Sequence, residues 1–135
     1  MKIYLAEYGI AVVAFLAIDY IWLRTMGPTF YAGEIGPLLR DTPNIAVALA
    51  FYLLFVAGLV VFVIHPAVVQ GNLQTALMKG AFFGLEAYAT YDLTNLATIK
   101  GFTARVAVLD MVWGAVLSAA VSSITLLVMR AVKFA

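Results

Sequence analysis

The sequence predicts an all-α integral membrane protein: one domain over residues 1–135, built as a four-helix bundle with a short interfacial segment between helices 1 and 2. Three observations carry this. Of the 135 residues, 65% are hydrophobic and 11% charged, against about 45–50% and about 25% in soluble domains, an excess that one small core cannot hide. The apolar residues gather into four stretches, each near the ~20 residues that cross ~30 Å of hydrocarbon. Glycines, prolines and capping residues fall between them. Such a composition excludes an ordinary soluble globular protein, and also a disordered chain, which needs low hydrophobicity and high charge. A net charge of +1 leaves no electrostatic footprint for nucleic acid. With no cysteine there is no disulfide, thiolate metal site or cysteine nucleophile.

The first stretch runs from about Ile3 to Leu23. Lys2 before an apolar run resembles a signal peptide, but the run is long, contains Glu7 and Asp19, and has no small-residue cleavage site before Arg24. It reads as a retained first crossing. Met26 to Thr42 mixes Pro28, Gly33, Gly36 and Pro37 with Phe30, Tyr31, Leu38 and Leu39, which suits a segment lying at the membrane surface. Thr42 and Pro43 read as an N-cap and first helical residue for the second stretch, Ile45 to Ile64, which Pro66 is expected to stop just after His65. Asn72 can cap the third stretch, Leu77 to Ile99, with Gly101 as its C-terminal glycine. Thr103 caps the fourth, Val106 to Val128, so the last two helices form a tight antiparallel pair.

Orientation is a tie under the positive-inside rule. Lys2, Lys79, Arg130 and Lys133 lie on one side, and Arg24, Arg40, Lys100 and Arg105 on the other. The amino-terminal charge tips both termini toward the cytoplasm; a true tie is also the pattern of a chain inserted both ways.

Ionisable side chains inside a spanning helix cost roughly 2.5–3.5 kcal/mol each on insertion scales and are functional candidates by default. Their depths converge. At ~1.5 Å per residue, Asp19 lies about 9 Å from its helix centre, Asp92 about 6 Å, and Asn95 and Asp110 about 10 Å, all toward the same surface. On the third helix Tyr88, Asp92 and Asn95 form an i, i+4, i+7 stripe, flanked by Tyr91. Carboxylates this close in low dielectric cannot all ionise cheaply, so a proton is expected to be shared among them. The cluster Asp19, Tyr88, Tyr91, Asp92, Asn95 and Asp110 suits proton relay, cation binding or headgroup anchoring; the plain alternative is that it only bonds helices together.

Glu86, near the midplane, shares a face with Lys79, either as a buried pair or as a second polar pathway. Gly80 and Gly84 form a small-residue pair that lets a neighbouring helix approach closely, and Trp113 is deep enough to pack inside. Trp22 beside Arg24 reads as an interfacial anchor, and His65 as an exposed boundary residue. Both tryptophans follow an aspartate by three residues, Asp19–Trp22 and Asp110–Trp113, a match too short to establish a duplication. No metal set, phosphate loop or hydrolase motif appears, so no metal or catalytic residue is assigned, and the chain leans away from being an enzyme.

The run Ala87-Tyr88-Ala89-Thr90-Tyr91-Asp92-Leu93-Thr94-Asn95-Leu96-Ala97-Thr98 resembles the signature of a bacterial membrane-protein family, domain of unknown function 2177. Asp19-x-x-Trp22-Leu23, Phe30-Tyr31, Phe51-Tyr52, Pro66 and Asp110-x-x-Trp113-Gly114 are similar to its other landmarks, so the likeness covers essentially the whole chain. The resemblance implies a four-helix protein of the bacterial inner membrane and supplies no reaction, cofactor or catalytic residue. Three functions stay open: a transporter or binding protein for a small cation, proton or lipid headgroup; a lipid-modifying enzyme or its accessory subunit; and an assembly partner whose acids only stitch helices. The expected partners are the bilayer, a lipid or cation ligand, and further copies of the chain, since four short helices bury little surface alone.

Overall fold

The computed structural model describes residues 1–132, all helix and connecting turns. Lys133 of the charge tie lies outside the described residues. The elements are α1 (Lys2–Met26), α2 (Ala32–Ile35), α3 (Ile45–Leu59), α4 (His65–Gln70), α5 (Leu73–Thr98) and α6 (Ala104–Ala131). Among the described residues three continuous helical spans are long and apolar enough to cross a membrane: Lys2–Leu38, Ile45–Gln70 and Ala104–Ala131. The 26 residues of α5 have the length too, but carry Lys79, Glu86 and Asp92. The chain is thus an all-α membrane protein.

Two prolines depart from the expected pattern for one physical reason. A proline ring clashes with the carbonyl one turn back and has no N–H to give, which normally ends a helix. Here each is absorbed by a widened π turn. Pro66 does not stop the second helix: at Val60–Ile64 the turn widens until the His65 N–H bonds Val60 O, and α4 carries on to Gly71, which closes it at φ +65°. Pro28 likewise lies inside a π turn over Gly27–Tyr31, where the Ala32 N–H bonds Gly27 O, so most of the expected surface segment is instead a helical continuation of α1. The cap of α3 is also two residues along from expectation: Asn44 accepts from the Val47 N–H at 3.2 Å, not Thr42. Asn72 and Thr103 cap α5 and α6 as expected, each at 3.2 Å, and Gly101 turns the corner between them at φ +86°.

The closest packing is between α5 and α6. A Cβ on Gly80 would come within 2.9 Å of Ser118 O, and one on Gly84 would run into Gly114 O and the Ser118 side chain. Gly114 in turn leaves room for the Tyr88 ring. Backbone against backbone fixes their register, with each step along α5 matched by a step back along α6. The other side of α6 meets α1 and α3 in one apolar core, centred on Phe15, Phe55, Leu59, Ile64, Leu117 and Val121. A smaller cluster of Ile35, Phe102, Val106 and Ala107 fastens α2 to the α5–α6 corner, where Glu34 accepts from the Thr103 hydroxyl at 3.0 Å.

His65 is not an exposed boundary residue. The helix runs past it, and its Nδ1 lies 3.0 Å from a carboxylate oxygen of the fully buried Glu7, with Tyr4 stacked on the ring at 3.9 Å. Nor are Lys79 and Glu86 a buried pair: both are exposed, and no ion pair joins them among the described residues. Of the two central phenylalanines, Phe83 packs inward against Phe55 while Phe82 stays 61% exposed.

The α5–α6 seam makes a stability prediction. Gly84→Ala forces two backbones apart and is expected to cost about 1–3 kcal/mol, the usual overpacking range. Gly9→Ala, where the added Cβ meets nothing within 4 Å, is expected to be neutral or stabilising. Thermal unfolding of the two detergent-solubilised variants beside wild type checks both.

Candidate functional site

A cavity of about 470 Å³ opens between α1, α3, α5 and α6, under the continuation of α1. Asp19, Tyr88, Tyr91, Asp92 and Asp110 all line it. Asn95, one turn beyond Tyr91, does not; it stands half-buried outside the lining. Tyr31, Tyr52, Trp22 and Trp113 complete the polar and aromatic wall. Its rim holds Leu23, Leu39 and Phe51, which are exposed and apolar.

The three carboxylates reach this space by different routes. Asp19 sits on the inner face of α1, one turn along from the core residue Phe15 and two from Ala11, and is 4% exposed. Asp110 lies one turn before Gly114 on α6, and Asp92 one turn after Tyr88 on α5. Because the Tyr88 ring occupies the space over Gly114, the same register brings Asp92 to face Asp110.

Asp19 and Asp110 have donors. The Trp113 indole N–H donates to Asp19 Oδ1 at 3.0 Å. The Tyr31 hydroxyl donates to Asp110 Oδ1 at 2.7 Å, and itself accepts from the Trp22 indole N–H at 3.1 Å. Trp22 and Trp113 stack face to face, 4.2 Å between centroids and 5° from parallel. The two Asp-x-x-Trp motifs therefore cross. Each tryptophan serves the other motif's aspartate, one directly and one through Tyr31, with the ring stack between them. Trp22 is consequently a wall of the cavity, a role its place beside Arg24 does not suggest.

Asp92 differs. It is fully buried, and neither of its carboxylate oxygens has a hydrogen-bond partner among the described residues. Two acceptor groups facing each other at Asp92 and Asp110 need a proton or a cation between them, since a buried unpaired charge is costly. Among the described residues no lysine, arginine or histidine lines the cavity. Among the described residues no three His, Cys, Asp or Glu side chains are grouped to hold a metal ion.

Sequence reasoning missed Tyr31 and Tyr52. Tyr31 was hidden because its segment read as a surface loop, and Tyr52 because a lone tyrosine in an uncharged stretch carries no periodic signal. The Asp-x-x-Trp repeat was visible, but its meaning lies in the crossing, which spacing cannot reveal.

A family model described as "Predicted membrane protein (DUF2177)" matches residues 4–127, and the chain belongs to that family. No curated protein and no solved structure matches it.

The crossed network makes a second prediction. Trp113→Phe keeps a ring in the stack but takes the donor from Asp19, and is expected to cost about 1–3 kcal/mol. Tyr31→Phe and Trp22→Phe act on one chain of bonds, so their double variant should lose about 0.5 kcal/mol or more less than the sum of the singles. Denaturant titration of the four proteins in micelles measures that coupling.

Proposed function

We propose that this DUF2177 protein crosses the bacterial inner membrane four times and binds the cationic headgroup of an amphiphile, an amine or quaternary ammonium, between α1, α3, α5 and α6. The observation that carries the reading is Asp92: a buried carboxylate with no hydrogen-bond partner on either oxygen among the described residues, in a cavity walled by aromatic rings and lined by no basic side chain among those residues. Carboxylates supply the compensating charge. The faces of Tyr and Trp rings attract a cation that is too large and too weakly hydrated for oxygen ligands alone. A volume of about 470 Å³ suits a small molecule.

The exposed apolar rim of Leu23, Leu39 and Phe51 supports the second half of the reading. A ligand entering from the leaflet that holds the three aspartates can leave its hydrocarbon tail in lipid. Asp19 and Asp110, already bonded to Trp113 and Tyr31, hold α1 against α6 and orient the wall. Asp92 is the group left to meet the ligand. Helix stitching is thus the role of two aspartates, not of the third.

Both tryptophans of the chain line the cavity, so their fluorescence reports directly on occupancy. Saturable quenching is expected with tetraphenylphosphonium and with dodecyltrimethylammonium. Asp92→Asn should weaken it at least tenfold, about 1.4 kcal/mol, while circular dichroism stays unchanged. Equal quenching by dodecyl sulfate, or cation quenching that survives Asp92→Asn undiminished, overturns the reading.

A further inference from the structure

Away from the cavity, the outer face of α5 presents two charges to the membrane. Lys79 and Glu86 are seven residues apart, two turns along one helix face, and both are exposed. Neither is joined to a partner by an ion pair among the described residues. The Thr90 hydroxyl, one turn from Glu86, bonds at 2.8 Å to the backbone carbonyl of Glu86 and leaves its carboxylate alone. Phe82 stands between the two charges, 61% exposed, with Met78 and Leu93 exposed farther along the helix. A carboxylate left facing hydrocarbon is expensive, so this face calls for a partner that brings a cation to the depth of Glu86 and an anion to the depth of Lys79.

We propose that the partner is a second, oppositely inserted copy of this chain, packed antiparallel along α5. A two-fold axis crossing α5 at Phe82–Phe83 places each Lys79 against the other copy's Glu86, makes both ion pairs at once, and stacks the two Phe82 rings at the centre. Such an interface is isologous and closes on itself.

Two independent observations agree with that axis. The first is depth. Gly80 meets Ser118 and Ser122, and Gly84 meets Gly114 and Ser118, so Phe82, midway between the glycines, is level with Ser118. Ser118 is at the middle of α6, which runs Ala104–Ala131. The axis therefore falls near the bilayer midplane, the one depth at which two inverted copies both stay centred. The second is the charge balance of the sequence: with Lys79 taken into the interface, Lys2, Arg130 and Lys133 fall in the segments on one side and Arg24, Arg40, Lys100 and Arg105 in those on the other, a difference of one residue that biases orientation little.

Charge reversal and cross-linking test the proposal in native mass spectra of the full chain released from lipid nanodiscs. Wild type is expected to be a dimer. Lys79→Glu and Glu86→Lys, each alone, set like charges opposite one another and should weaken self-association at least tenfold. The double reversal should restore the dimer, and so should co-expression of the two single variants, which pair only with each other. The chain has no cysteine, so single cysteines report orientation. On mild oxidation Phe82→Cys, on the axis, should form a disulfide-linked dimer, whereas Leu93→Cys, far from its own copy in an inverted pair, should not. A monomeric wild type, single reversals that leave the dimer intact, or self-linking at both cysteines overturns the proposal.

Discussion

Backbone contact between α5 and α6 is the constraint from which the rest of the molecule follows. Gly80, Gly84 and Gly114 add no side chain of their own to the seam, so α5 lies directly on the Gly114 and Ser118 carbonyls, the Tyr88 ring fits over Gly114, and the helices cannot slide without collision. In a bilayer, apolar burial gives helices little reason to associate, and such close packing is what holds them. The register it sets places Tyr88 over Gly114. One turn farther on, the same register brings Asp92 to Asp110.

The tryptophan stack does for α1 what the glycines do for α5. Trp22 and Trp113 lie flat on one another, and their N–H groups donate to the Tyr31 hydroxyl and to Asp19. Each motif completes the other, directly at Asp19 and through Tyr31 at Asp110. The two aspartates it employs are satisfied, so a polar network can sit at membrane depth without orphaned groups. The cavity is the space this network encloses on one side and α5 closes on the other. Among the described residues, Asp92 is the carboxylate in it without a donor.

Widened turns at Gly27–Tyr31 and Val60–Ile64 give the cavity its roof and the far end of the bundle its His65–Glu7 pair. The first lets α1 bend on without ending, which carries Tyr31 to Asp110 and Ile35 to the α5–α6 corner. The second carries His65 past the expected helix stop, to where its imidazole meets Glu7. A π turn accommodates a proline that an α-helix would not, and in a membrane the helix gains from continuing, because every backbone group released in hydrocarbon needs a new partner.

The sequence by itself determined the class of this protein and the depth of its acids. Composition demanded a bilayer, and a fixed rise per residue placed Asp19, Asp92 and Asp110 in one layer, because depth along a helix depends only on counting residues. Capping at Asn72 and Thr103 was legible for the same reason: these bonds reach only three residues. Only the tertiary structure decided which groups at that depth touch. It excluded Asn95 from the wall, brought in Tyr31 and Tyr52, turned Lys79 and Glu86 outward, and separated Asp92 from its bonded companions. Those outcomes depend on the rotation of each helix about its own axis and on where prolines bend the chain, and both are set by contacts between residues far apart in sequence.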